Sequence, residues 1–133
     1  MASGTNQVRV ESSALTLVSR SADDRVEVRM VGNADSTGLQ ALGDFLDRLH
    51  ADALAKGARS VVIDCRELYF MNSSCLNAFV RWIHTLRSSS AKEKRARYGV
   101  TFLGNKNLRW QSRSFPAIQG LAKDLITDRK SVV

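Results

Sequence analysis

Residues 60–86 change midway from a strand pattern to a helix pattern. The short apolar run Val61-Val62-Ile63 is typical of a strand covered on both faces, and we expect it at the centre of a sheet. After the connection RELYFMN, apolar residues recur at three- and four-residue steps, as on one side of a helix. They are Leu76, Phe79, Val80, Ile83 and Leu86. A buried strand leading into an amphipathic helix indicates a domain of the α/β class.

The segments before this unit continue the same alternation. In residues 25–31, apolar and charged side chains alternate, which predicts a strand with one buried face, and Leu15 and Leu17 indicate an earlier partner strand. The turn sequence GNADSTG then leads into a helix that ends near Gly57. Its apolar positions follow helical spacing and are Leu39, Leu42, Leu46, Leu49 and Ala53.

The segments after the unit add one strand and one helix. YGVTFLG at 98–104 is a predicted strand, and Pro116 is expected in the first turn of a last helix with Ile118, Leu121, Ala122 and Leu125 on its buried side. We therefore predict a mixed β-sheet of about four to five strands covered by three to four helices.

The chain is long enough for one domain. Its 133 residues, 44% of them hydrophobic, can bury a single core. We expect a flexible N-terminal arm at 1–12, the domain at 13–128 and a tail at 129–133. The two cysteines, Cys65 and Cys75, do not form the pattern of a secreted disulfide scaffold, and no long apolar segment suggests a signal peptide or membrane span. These features predict a cytoplasmic protein.

The formal net charge of +7 is compatible with binding to an acidic protein, to nucleic acid or to an anionic membrane surface. The basic residues cluster from Arg81 to Arg113, with KEKRAR at 92–97 the densest run. Because no aromatic residues are interleaved with this run and no stripe at helical spacing accompanies it, a hydrated loop is favoured and nucleic acid is not the expected partner. Binding to RNA or membranes would show a steep salt dependence.

Residues 61–86 resemble the signature of the STAS domain family, particularly its anti-sigma factor antagonists. In that family a buried strand and a short connection precede Asp-Ser-Ser-Gly-Leu or Asp-Ser-Thr-Gly-Leu at the start of a helix. This chain reads Asn72-Ser73-Ser74-Cys75-Leu76, so asparagine replaces the usual acid and cysteine the usual glycine. The order of elements also matches over roughly residues 13–126, which implies a STAS-like fold.

The resemblance also implies a mechanism of regulation. In the family, the dephosphorylated domain binds an anti-sigma factor that is also a serine kinase, and a separate phosphatase resets it. The chain would accordingly be substrate and ligand, not an enzyme. By position, Ser73 is the expected phosphoacceptor, while Ser74 is a helix cap and second acceptor. The simpler alternative is that both serines only cap the helix.

The expected partner-binding residues surround this serine pair. Asn72, Asn77 and Arg81 are docking neighbours by position, and we group Asp35, in the loop before the first helix, with them. Asn77 stands where many relatives have a small residue, which predicts a different partner surface. No metal or cofactor is predicted, and the sequence leaves open a homodimer or a larger assembly.

Two alternative functions follow from other features of the chain. Cys75 and His84 could suggest a nucleophile and base, but nine helical residues separate them by about 13–14 Å along the axis, too far for contact. The second alternative is a STAS scaffold subunit of a larger sensory complex, or a module that binds a small ligand. In the remaining unassigned positions, Trp110 is expected to cover the core and His50 to be an ordinary surface histidine.

Overall fold

The computed structural model describes residues 7–12, 14–92, 98–121 and 126–131. The strands are β1 (Gln7–Ser12), β2 (Leu15–Ala22), β3 (Arg25–Ala34), β4 (Ser60–Met71), β5 (Gly99–Asn105) and β6 (Ile126–Ser131). The helices are α1 (Leu39–Lys56), α2 (Ser73–Lys92) and α3 (Arg109–Leu121), and a single 3₁₀ turn, Ser36–Gly38, precedes α1.

All six strands form one sheet in the order β1-β2-β3-β4-β5-β6. Strand β2 pairs antiparallel with both β1 and β3, and the neighbouring strands from β3 to β6 pair parallel. This arrangement confirms the predicted mixed α/β class. Two strands were not predicted: β1 lies in the segment expected to be a flexible arm, and β6 continues into the expected tail. In β1 the alternation of Val8 and Val10 with polar residues was the available signal, since both valines pack against the core.

The three helices cover only one face of the sheet. Each parallel crossover steps to the next strand in the same direction, and right-handed crossovers then place every helix on the same side. Accordingly α1 packs against α2, and α2 against α3. Val61 and Ile63 of β4 are buried beneath the helices, whereas Val62 faces the opposite side and is only half-buried. The expectation that this central strand is covered on both faces is therefore wrong.

The predicted helices are present with corrected boundaries. In α1 the predicted core positions from Leu42 onward are buried, and Gly57 ends the helix in the left-handed conformation with φ 65°. The last helix begins at Arg109, so Pro116 lies within it instead of in its first turn. Leu121, expected in the core, is 37% exposed. Residues 122 and 125, also assigned to that helix, lie outside the described residues.

A largely buried group of polar side chains connects two helices to the residue before β5. Trp82 of α2 is buried and donates its indole N–H to the Tyr98 hydroxyl at 2.9 Å. The same hydroxyl lies 2.8 Å from Nδ1 of His50, which is half-buried in α1. His50 is thus not an ordinary surface histidine, because it takes part in a contact that joins α1, α2 and the start of β5.

Among the described helices, none has the length and apolar character needed to cross a membrane.

Candidate functional site

The loop after β3 and the start of α2 meet at one end of the sheet. Ala34 and Met71 are paired in the parallel register of β3 and β4, so both strands end at the same level. Beyond them, the Asn72 amide N–H donates to the Ala34 carbonyl at 2.9 Å, and the Asn72 side-chain Nδ2 donates to the Ser36 hydroxyl at 3.2 Å. These bonds fix the loop that carries Asp35 beside the first turn of α2.

Asn72 is the residue that caps α2. Its Oδ1 accepts the backbone N–H of Cys75 at 2.9 Å, and its carbonyl accepts that of Leu76 at 3.0 Å. Ser73 and Ser74 are the first two helical residues, and both are exposed. The expectation that Ser74 caps the helix is therefore wrong, because the cap position falls one residue before the serine pair.

Asp35, in the loop after β3, is also a capping residue. Its carboxylate caps the 3₁₀ turn by accepting the Thr37 hydroxyl at 2.6 Å and the Thr37 amide at 3.0 Å. The hydrogen bond from the Thr37 hydroxyl lowers the pKa of Asp35 below its usual value. A carboxylate that is ionised at neutral pH thus lies next to the start of α2.

A groove of about 490 Å³ runs between α1 and α2 from this point. We call it the α1–α2 groove. The α2 side is lined by Ser74, Asn77 and Arg81, which recur at helical spacing on one face of the helix. The α1 side carries Asp44 and Asp47, and it also includes Leu39, Gln40 and Gly43. The groove is therefore polar, with two acidic residues on one wall and an arginine on the other.

The structure brings most of the predicted site residues together. Ser74, Asn77 and Arg81 share the groove, while Asp35 and Asn72 are joined through the bonds at its end. Ser73 is exposed on the same first turn but does not line the groove. Sequence reasoning missed the contribution of α1. Its polar residues at Gln40, Asp44 and Asp47 follow helical spacing opposite the apolar stripe and were the available signal.

The arrangement of Cys75 argues against a nucleophilic site. Its side chain is buried, and its Sγ lies 3.4 Å from the Asp35 carbonyl oxygen. Burial, together with the negative charge of Asp35, raises the pKa of the thiol, so the reactive thiolate is disfavoured. His84, the base considered with it, is exposed further along α2.

Comparison with known proteins finds similarity in structure. No family model matches the sequence, and no curated protein matches it significantly. An anti-sigma factor antagonist from Mycobacterium paratuberculosis superposes with a TM-score of 0.60 at 18% identity, over 86% of each chain. SiaC of Pseudomonas aeruginosa gives a TM-score of 0.65 at 12% identity, over 95% of this chain and 99% of SiaC.

A third structure is the Bacillus cell fate determinant SpoIIAA in its phosphorylated form. It gives a TM-score of 0.51 at 13% identity, over 92% of this chain and 90% of SpoIIAA. SiaC is also described in complex with the diguanylate cyclase SiaD, as its activator. At these identities the similarity concerns the fold, and it extends over nearly the whole length of each protein. The chain therefore has the STAS-type fold shared by the anti-sigma factor antagonists, SpoIIAA and SiaC.

Proposed function

We propose that the chain is a phosphorylation-controlled regulator that binds a partner protein through the start of α2 and the α1–α2 groove. In its unphosphorylated form it binds a serine-kinase-type anti-sigma factor. Phosphorylation of Ser73, with Ser74 as a second acceptor, releases this partner, and a phosphatase restores binding. The chain acts in the cytoplasm as substrate and ligand, not as a catalyst.

The observation that carries this proposal is the position of the two serines. Both are exposed in the first turn of α2, where a kinase can reach their hydroxyls, and neither supplies the cap. Since Asn72 supplies it, modification of either serine leaves the Asn72–Cys75 bond in place. Ser74 also lines the groove, so a group added to it changes the groove directly.

A phosphate at this position is compatible with the fold. The first turn of a helix has backbone N–H groups without intrahelical acceptors, and its positive dipole end favours an anion. The modification adds about −1.5 to −2 charges at neutral pH. A partner surface that fits neutral serines beside ionised Asp35 then meets additional negative charge, so binding is lost while the domain stays folded.

The first experiment compares baits in lysate of the native host. Wild-type protein, Ser73→Asp, Ser74→Asp and the corresponding alanine variants are used for affinity capture, and retained proteins are identified by mass spectrometry. We expect a kinase-type ATPase to be retained by the wild-type and alanine baits and lost from at least one aspartate bait. Ser88→Asp is the matched control, because Ser88 is exposed on the same helix, four turns further along.

Phosphate incorporation is then measured with the captured kinase and ATP. We expect phosphate incorporation into the wild-type protein and its loss in Ser73→Ala. If Ser74 accepts phosphate when Ser73 is absent, the loss appears only in the Ser73→Ala/Ser74→Ala double variant. Equal retention of the same partners by all baits, with undiminished phosphorylation of the double variant, would refute the proposed switch.

A second candidate is direct activation of a partner enzyme. It is favoured by the similarity to SiaC, which extends over 99% of that chain and has a higher TM-score than that to the Mycobacterium antagonist. In this case the wild-type bait would retain an enzyme whose activity rises on addition of the purified chain. A stable high-mass complex with neither a kinase nor an activated enzyme would indicate a scaffold subunit instead.

A further inference from the structure

Strand β4 contains two bulges near its carboxyl end. Arg29 pairs with Asp64 but Val31 pairs with Glu67, so β4 has one extra residue there. A second extra residue follows, because Gly32 pairs with Leu68 while Asn33 pairs with Phe70. Both irregularities lie beyond Asp64, where the pairing of β4 with β5 ends. Bulges of this kind change the direction in which side chains point.

The second bulge leaves two consecutive aromatic side chains exposed. In a regular strand, neighbouring residues point to opposite faces, and one of Tyr69 and Phe70 would turn toward the helices. Here Tyr69 is 54% exposed and Phe70 48% exposed, while Leu68 before them is fully buried. Large exposed apolar residues that adjoin one another are typical of interaction sites.

The segment that carries the aromatic pair is held in place by α3. The Leu68 carbonyl accepts the indole N–H of Trp110 at 3.0 Å and Nε2 of Gln111 at 3.2 Å. The Gln111 amide also donates to the Cys65 carbonyl at 2.7 Å and is itself completely buried. The aromatic pair therefore follows directly on a fixed backbone, and little conformational entropy would be lost when a partner binds.

Exposed basic residues lie on and just before α3, the helix whose Trp110 bonds to the Leu68 carbonyl. Lys106 lies in the turn before α3, and Arg109 and Arg113 lie one turn apart within it; all three are exposed. Between Leu68 and Leu121 the described residues include no Asp or Glu. We refer to Tyr69, Phe70, Lys106, Arg109 and Arg113 as the aromatic–basic surface. Two acidic residues lie on the β3 side: Glu67, two residues before Tyr69, forms an ion pair with Arg29, and Asp35, in the loop after β3, is hydrogen-bonded to Thr37.

We propose that the aromatic–basic surface binds an acidic protein surface that has an apolar recess for Tyr69 and Phe70. The inference rests on the proposed function, since it describes the chemistry of the partner next to Ser73. Charge complementarity with the three basic residues selects an acidic partner, and burial of the aromatic rings supplies affinity. A protein is favoured over nucleic acid because single-stranded nucleic acid requires a longer basic groove along its backbone.

This surface also gives phosphorylation a second consequence. Ser73 follows Phe70 of the aromatic–basic surface by only three residues, and Ser74 beside it lines the α1–α2 groove. An acidic partner bound to the aromatic–basic surface is repelled by the added charge, whereas the fold is unaffected. The partner chemistry and the switch are thus consistent with each other but can be tested separately.

The test uses a displayed library of random peptides selected on the purified wild-type chain. We expect the enriched peptides to be acidic with interspersed apolar residues. Their affinity should fall about tenfold or more for Tyr69→Ser/Phe70→Ser and for Lys106→Glu/Arg109→Glu. It should also weaken as ionic strength rises from about 0.05 to about 0.3 M. The controls are Leu121→Ser, at an exposed apolar residue, and Arg48→Glu/Lys56→Glu, which changes the net charge equally on α1.

The outcomes separate this inference from the proposed function. Absence of acidic peptides, equal binding by the aromatic variants, or tighter binding of a single-stranded RNA oligonucleotide would overturn it. Self-association through Tyr69 and Phe70, detected by light scattering and lost in the aromatic variant, would also overturn it. If the surface variants lose binding but Ser73→Asp and Ser74→Asp do not, the surface is supported and the phosphorylation switch fails.

Discussion

Asn72 has two roles at a position where the STAS signature has an acid. It caps α2 through Oδ1 and holds the Asp35 loop through Nδ2, and an aspartate could accept the first bond but could not donate the second. We predict that Asn72→Ala lowers the free energy of unfolding by about 1 kcal/mol, the usual cost of a lost cap.

Urea denaturation of Asn72 variants measures this cost. Asn72→Asp should keep most of the capping energy because the negative charge also interacts favourably with the helix dipole. Ser73→Ala is the matched control and should change stability by less than about 0.5 kcal/mol, since Ser73 is exposed. If Ser73→Ala costs as much as Asn72→Ala, the cap has been assigned to the wrong residue.

His50 should make stability dependent on pH. The indole of Trp82 can only donate, so the Tyr98 hydroxyl accepts that bond and gives its own proton to an unprotonated Nδ1 of His50. Burial lowers the pKa of His50 below its ordinary value of 6.5, although the charge of Asp47 opposes this. Between these two pKa values the unfolded chain binds more protons than the folded one. Stability should therefore decrease as pH falls below 6.5 and level off below the folded-state pKa.

Unfolding curves measured between about pH 8 and about pH 5 test this dependence. His50→Gln retains a side-chain acceptor but cannot titrate, and it should flatten this part of the profile relative to wild type. The matched control is His84→Gln, at the exposed histidine of α2. An unaltered slope in His50→Gln would show that other groups cause the pH dependence.

At the level of elements, a side chain of α3 supplies backbone hydrogen bonds to β4 and β5 where these two strands no longer pair with each other. The ladder between β4 and β5 ends at Asp64 and Leu103, and beyond it Gln111 bonds to both strands. Its Oε1 accepts the Asn105 amide at 2.7 Å, while Nε2 donates to the Cys65 and Leu68 carbonyls. Gly104 allows this approach, because a Cβ there would lie 2.8 Å from Gln111 Oε1.

We predict that Gln111→Leu lowers the free energy of unfolding by about 2–3 kcal/mol, because it leaves buried backbone groups without partners. Ser112→Leu is the control at the next position, where the side chain is exposed, and should cost less than about 0.5 kcal/mol. Chemical denaturation of both variants provides the comparison. Equal stability of Gln111→Leu and wild type would mean that water satisfies the carbonyls after substitution.

The start of α3 shows why this element was predicted only in part. Proline is frequent in the first turn of helices, and Pro116 therefore suggested a later start. In the structure the Leu108 carbonyl accepts the backbone N–H groups of Gln111 and Ser112. These bonds start α3 at Arg109, the residue after Leu108. The contacts that fix this start, from Trp110 and Gln111 to Leu68, join residues more than forty positions apart, and local sequence patterns carry no information about them.

For the whole molecule, the difference between local sequence patterns and contacts between distant residues explains which parts of the site were predictable. Ser73, Ser74, Asn77 and Arg81 lie within α2 and Asn72 directly precedes it, which is the placement that one helical pattern indicates. The facing residues Asp44 and Asp47 depend on how α1 packs against α2, which periodicity within one helix does not specify. Similarly, the exposure of both Tyr69 and Phe70 depends on the register between two strands.

The one-sided arrangement of helices leads to a prediction for adjacent valines. Val61 is completely buried beneath the helices, whereas Val62 faces an open surface cleft with Val18 and Leu103. Threonine has a similar shape and good strand propensity, so Val→Thr mainly tests the cost of burying a hydroxyl. We predict a loss of about 2 kcal/mol in the free energy of unfolding for Val61→Thr, and of less than about 1 kcal/mol for Val62→Thr. Urea titration of the two variants gives the comparison directly. Similar losses at both positions would mean that a further layer covers the face of β4 on which Val62 lies. The continuous apolar run of β4 would then have predicted correctly that both faces of this strand are covered.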